Sequence, residues 1–237
     1  MATLAETARP ENDTKIHGKL NWLRAGVLGA NDGIVSTAGL VMGVAGANVS
    51  SHALLIAGLA GVVAGALSMA GGEYVSVSSQ KDTELAALEA GRCQIRDDPE
   101  GELKDLAAIF TTKGVSPELS RQVAEQMTDH DALGALAELK LGIDAENRTS
   151  PWHAAWASMA AFTLGAVIPL LAMVLSPAPA RVAATVAAVT IALVLTGVTS
   201  ARLGGGSPVR PMLRNVLVGS LAMFVTYFVG NVVGTQL

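Results

Sequence analysis

Residues 26–47 read GVLGANDGIVSTAGLVMGVAGA, an apolar, glycine-rich run with one charge, Asp32. A bilayer-crossing helix needs roughly 20 mostly apolar residues, and this stretch with its flank from Trp22 supplies a first span, about 22–47. Working outward, four more stretches meet the same test: about 53–78, 152–175, 181–203 and 213–234. The sequence therefore reads as an all-α membrane protein with five transmembrane helices. Residues 1–21 read as a polar cytoplasmic tail, 22–81 hold spans one and two, 82–150 form a helical insert, and 151–237 hold spans three to five.

Composition agrees. The chain has 237 residues, 51% hydrophobic, 15% charged and 4% aromatic, with a mean hydropathy of +0.45. A soluble domain carries about 25% charged residues. The single cysteine, Cys93, excludes a disulfide framework and a four-cysteine metal site. A formal net charge of −4 gives no reason to expect nucleic acid as a partner.

The charges are unevenly placed. All 20 acids lie at or before Glu146, and residues 82–146 carry 15 acids against six Lys or Arg. With the N-terminus and the insert on the cytoplasmic side, 15 of the 16 Lys and Arg fall inside and only Arg181 outside. The positive-inside rule thus predicts N-in, C-out. The start MATLAETARPENDTK has no apolar core, so it does not read as a signal peptide. A bacterial inner membrane suits such a start.

The insert reads as three or four short helices without a strand pattern. Leu85 and Leu88 sit at helical spacing within 82–90. A second helix starts after Pro99 with Leu103, Leu106 and Phe110 on one stripe. A third starts with Ser116 as cap and Pro117 at its first position, with Leu119, Val123 and Met127 as its stripe. A last short helix, ALGALAELKLGI, ends near Gly142.

Only two acids lie within the apolar spans, Asp32 and Glu73. A carboxylate at mid-bilayer costs at least ~2.5 kcal/mol to insert, so such residues face a bundle interior or a wet cavity. Asp32 is ten residues past Trp22, about 15 Å along a helix, and so near the midplane. Glu73 lies near the cytoplasmic end of span two, one turn from Met69 on the same face. Two carboxylates and a thioether make a cation path, the thioether biasing it toward transition metals over Mg²⁺ or Ca²⁺. Because desolvation favours the protonated form of a carboxylate, Asp32 is also a candidate proton carrier. The bland alternatives are an interfacial Glu73, a packing Met69, and an Asp32 that caps a helix broken at Gly33.

Glycines recur at small spacings in spans one and two, which permits close helix approach. They serve either packing within one chain or a dimer seam. Gly29 and Gly33 flank Asn31–Asp32, where an opened backbone would expose carbonyls.

In the insert most acids read as a solvated face. Glu102 and Asp105, three apart on one helix face, are placed to share a cation. Glu84, Met127 and Asp131 are further candidates, with Glu89, Glu125, Asp129 and His130 near them in sequence. No Glu-x-x-His pair occurs in the insert, so a di-iron oxidase site of that type is unsupported. No Walker A motif occurs either, and no nucleophile–base constellation suggests an enzyme.

The run 26–47, followed by AGLAGVVAGALSMAGGEYVSVSSQKDTE at 57–84, closely resembles the vacuolar iron transporter (VIT) family. SPELSRQVAEQMTDHDALGA at 116–135 resembles its prokaryotic members. The resemblance extends from about Gly18 to the C-terminus. It implies a five-span homodimer that exports Fe²⁺ or Mn²⁺ from the cytosol in exchange for protons, with no prosthetic group. It implies an ion path at the dimer interface through Asp32, Met69 and, at the mouth, Glu73; Asn31 is counted with Asp32. It also implies a metal-binding insert rich in paired glutamates and methionine.

This chain departs from that pattern. Gly91 and Gln94 stand where many relatives carry a Glu-x-x-Glu pair, and Met127–Thr128 stands where they often have Leu-Met. Leu136 and Lys140 stand where His and Glu are expected. A cation beside a metal site opposes binding, so the expectation is an insert that binds fewer ions or binds them more weakly. Two functions remain open on sequence: a proton-coupled exporter of divalent iron and/or manganese, and a membrane-anchored metal sensor or buffer acting through the insert. A buried carboxylate at mid-membrane favours the first, because an anchor has no need of one.

Overall fold

A computed structural model describes residues 11–143 and 150–236, with side chains from residue 26 onward. Expectations about residues 1–10 and 144–149 lie outside these. The elements run α1 (Glu11–Gly46), α2 (Ser51–Asp97), α3 (Pro99–Thr112), α4 (Pro117–Leu136), a π-turn (Ala137–Leu141), α5 (Pro151–Leu175), α6 (Arg181–Leu203) and α7 (Val209–Gly234). No strand occurs among the described residues. Five helices are long and apolar enough to cross a membrane: α1 over Gly26–Gly46, and α2, α5, α6 and α7.

The chain divides into two compact units, Met1–Tyr74 with Pro151–Leu237, and Val75–Ser150. In the first, α1 is the central helix. It packs on α5, α6 and α7, and α6 packs on both α5 and α7. Its buried face carries Ile34, Ala38, Val41 and Met42, which join Phe162, Leu170 and Met173 of α5, Leu193 of α6 and Met223 of α7 in one core. Leu54, Val62 and Ala66 of α2 close that core from the side.

The glycines of α1 make the close approaches. A Cβ on Gly33 would strike the Phe162 carbonyl, and one on Gly165 would strike the Ala30 carbonyl. Toward the other end, Gly43 and Gly230 leave α1 and α7 backbone to backbone. Side chains of ordinary size would hold these axes apart. The span-one glycines from Gly29 to Gly46 thus pack within one chain, whereas Gly26 meets no neighbour among the described residues. The outward faces are apolar: Leu164, Leu175, Leu217 and Phe224 are all more than 60% exposed. In water such a surface would drive association, and in a bilayer it meets lipid tails.

Both edges of the apolar slab are marked. At one, Arg181 Nη2 at the start of α6 donates to Ser51 Oγ at the start of α2, 3.0 Å. At the other, the rings of Tyr74 and Trp152 lie 4.7 Å apart, centroid to centroid. Aromatic pairs with a polar edge favour the membrane–water boundary.

Three details differ from the sequence reading. α2 does not end near residue 78 with a new helix at 82, but runs unbroken to Asp97. Polarity changes there, yet residues 73–90 hold no Gly or Pro to stop a helix. The polar segment before span one is helical from Glu11. And α1 is continuous through Asn31–Gly33, so Asp32 does not cap a broken helix and its neighbours' carbonyls stay in the helical ladder.

In the second unit α3 packs on α4 and the π-turn. Asp98 caps α3, its Oδ1 accepting from Gly101 N at 2.9 Å, with Pro99 at the first position. Ser116 caps α4 by accepting from Leu119 N at 3.4 Å. The buried positions of α4 are Ser120, Ala124, Ala135 and Leu136, with Val123 and Met127 half-buried, while Leu119 is exposed. The α4 stripe is rotated by one residue from the expected one, because small side chains let α4 sit close to α3.

Candidate functional site

Asp32 is exposed on the surface of the first unit, in a sloping stripe of α1 with Leu28, Ser36 and Leu40. Residues four apart share a helix face, so the carboxylate sits between Leu28 and Ser36, with Leu40 one turn further on. The Ser36 hydroxyl does not reach the carboxylate; it donates to the Asp32 backbone oxygen at 2.6 Å. Beside it, Asn31 is half-buried, and its Oδ1 is buried without a hydrogen-bond partner among the described residues.

The register between α1 and α2 follows from two contacts. Leu40 fills the space at Gly61, where an added Cβ would lie 2.8 Å from its Cδ2, and Val41 lies 3.4 Å from the same point at Gly58. The pairs 40–61 and 41–58 describe antiparallel helices. Asp32 lies eight residues before Leu40, and Met69 eight residues after Gly61. Each displacement is about 12 Å, in the same direction, so Asp32 and Met69 occupy one depth. Phe162 supports this register: its carbonyl faces Gly33, and its ring fills the space at Gly65. Met69 is half-buried against the core, and Glu73, also half-buried, follows one turn later beside Tyr74. The three residues thus descend from within the slab to its aromatic edge. No local pattern around Phe162 points to this bridging role.

In the insert, Lys140 stands directly over the acidic pair of α3. Its Nζ donates to Glu102 Oε1, Glu102 Oε2 and Asp105 Oδ2, each at 3.0 Å. The Glu102 side chain is 8% exposed and that of Lys140 32%. Burial works against the Lys140 charge, but hydrogen bonds to Glu102 and Asp105 and their negative charge outweigh it. The ammonium's pKa lies above its ordinary 10.5.

The other insert candidates are held in separate roles. Glu84 Oε1 accepts from Gln80 at 2.9 Å. Met127 packs on the Leu106–Ala124–Ala135 cluster. Asp131 sits at a break in α4 (φ −156°, ψ 93°), where its Oδ1 accepts from Gly134 N at 2.9 Å and caps the following turns. Gly91 lies directly against Leu136, whose Cδ2 would be 2.9 Å from an added Cβ. Among the described residues, no three His, Cys, Asp or Glu side chains gather as a metal would need.

Five apolar helices with one carboxylate set in an apolar, exposed stripe define a multi-pass integral membrane protein. The chain belongs to the VIT family, whose profile matches residues 23–231. It is 42% identical over 214 residues to a vacuolar iron transporter of Acanthamoeba castellanii, covering 90% of this chain and 79% of that protein. It is 40% identical over 217 residues to vacuolar iron transporter homolog 1 of Oryza sativa subsp. japonica, covering 91% and 75%. It is 38% identical over 219 residues to vacuolar iron transporter homolog 3 of Arabidopsis thaliana, covering 92% and 86%.

Proposed function

We propose that this protein carries divalent iron and/or manganese across the membrane, outward from the cytosol, in exchange for protons. The observation that supports it most is Asp32, a carboxylate exposed within an apolar helix face and level with Met69. Facing lipid, it would cost at least ~2.5 kcal/mol. Facing a water-lined path between two copies of the chain, it becomes a cation ligand. The names of the relatives add iron to this reading, and the family resemblance adds manganese and the outward direction.

The roles follow from residue chemistry. Glu73 at the aromatic edge attracts the hydrated ion, and Met69 offers a soft sulfur that selects transition metals over Mg²⁺ and Ca²⁺. Asp32 from each of two chains takes the ion. A proton arriving from the outer side neutralises Asp32 and releases the ion, which couples the two fluxes. The charge distribution along the sequence supports the N-in orientation of this scheme.

The test is metal flux in proteoliposomes under an imposed pH gradient, comparing Fe²⁺, Mn²⁺, Co²⁺, Zn²⁺ and Ca²⁺ for wild type and Asp32→Asn. Gradient-dependent Fe²⁺ or Mn²⁺ flux that needs Asp32 is expected. Wild-type flux with unchanged pH dependence in Asp32→Asn would overturn it. The second reading, a metal sensor or buffer, places function in the insert, and the Lys140 contacts with Glu102 and Asp105 weigh against it.

A further inference from the structure

We infer that Lys140 is a built-in counter-cation, which occupies the Glu102–Asp105 pair and leaves it a divalent-cation site only when the lysine is removed. An ammonium has three N–H donors and no acceptor. Here the ammonium reaches both oxygens of the Glu102 carboxylate and one of Asp105, each at 3.0 Å, so it bridges the two acids.

The arrangement is fixed from both sides. Glu102 and Leu106 are one turn apart on α3, and both are buried. Leu139 packs on the cluster around Leu106, which holds the π-turn to α3 and presents its neighbour Lys140 to Glu102. The turn then closes at Gly142, whose positive φ of 65° suits glycine. A buried carboxylate needs a cation or several donors, and Glu102 has one tethered within its own fold. The tether gives the ammonium an effective concentration that a free ion must overcome.

A divalent ion would have to use the same oxygens. With the ammonium in place it meets a positive charge at contact distance, and no third acid, His or Cys stands ready among the described residues. Without the ammonium, two carboxylates one turn apart remain, a donor set of the hard-oxygen kind that Mn²⁺ or Mg²⁺ accepts together with water. The lysine thus bridges the π-turn to α3 where a bound metal would otherwise be needed.

The test counts Mn²⁺ bound to the full chain in nanodiscs by electron paramagnetic resonance, in an Asp32→Asn background so that the span residue does not contribute. Three proteins are compared: that background, the background with Lys140→Gln, and the background with Glu102→Gln and Asp105→Asn. The expected result is equal Mn²⁺ for the first and third, and one additional ion per chain, bound at least tenfold tighter than the background, for Lys140→Gln. A loss of bound Mn²⁺ on removing the two carboxylates would overturn the inference, since the pair would then bind metal beside the lysine. This arm does not depend on Lys140→Gln folding. A folded Lys140→Gln that gains no ion would overturn it as well. Neither result bears on the transport proposed for the spans.

Discussion

Gly33 of α1 lies against the backbone carbonyl of Phe162 on α5 with no room for a side chain between them. The contact is one residue from Asp32, so it fixes the depth and rotation of the carboxylate. Gly33→Ala must push two backbones apart, and overpacking of this kind costs about 1–3 kcal/mol. The expected outcome is a lower thermal midpoint in detergent and reduced flux together. Gly26→Ala, with nothing near its Cβ position, gains about 0.4–1 kcal/mol through the unfolded chain and leaves flux unchanged.

Met69 and Glu73 differ in what they contribute. Met69→Leu conserves volume and costs less than about 1.5 kcal/mol, so the fold survives while the soft ligand is lost. Fe²⁺ or Mn²⁺ flux is expected to fall several-fold relative to Ca²⁺ flux, measured as the ratio in the same liposomes. Glu73→Gln removes an attracting charge at the slab edge. It is expected to raise the half-saturating metal concentration without lowering the maximal rate, and more so at low salt, where screening is weak.

The spans and the intramembrane acids were legible because lipid imposes a length and forbids stray charge. Two residues, Asp32 and Glu73, stood out on that ground alone. The unbroken α2 was not legible, since polar residues after Tyr74 report solvent and not helix termination. The α4 face is legible only in part: Met127 packs inward as its stripe predicts, but Leu119 is exposed, and the small Ser120 and Ala124 make the close contact. The Lys140–Glu102 contact joins residues 38 apart, and no local periodicity encodes such a pair. The Phe162 bridge between Gly33 and Gly65 escaped for the same reason. Asp131 did carry a signal, a short polar residue directly before the apolar run ALGALAEL.

Asp131 gives a test of capping against ligation. Its carboxylate accepts from Gly134 N, and an asparagine side chain does this equally well. Asp131→Ala is expected to cost about 1 kcal/mol, seen as faster amide exchange in the second half of α4. Asp131→Asn is expected to keep wild-type protection and unchanged metal binding. A fall in bound metal for Asp131→Asn would instead assign the residue as a ligand.

Lys140 links the insert's stability to pH with a definite sign. Its folded pKa lies above the ordinary 10.5, so the folded state holds the proton more tightly than the unfolded chain. The stabilisation is therefore fully present below pH 10.5 and is lost as pH rises through the higher folded value. Lys140→Ala leaves the buried Glu102 carboxylate without its cation, at a cost of about 2–3 kcal/mol. Hydrogen exchange of the α3 amides is expected to quicken by about 30- to 140-fold in that variant at neutral pH, the same free energy read at 1.4 kcal/mol per tenfold. Wild type and Lys140→Ala should differ equally at pH 7 and pH 9 once intrinsic exchange is corrected. Their difference should shrink only above about pH 10.5, and a difference that vanished by pH 9 would mean that the lysine is not what holds α3 to the π-turn.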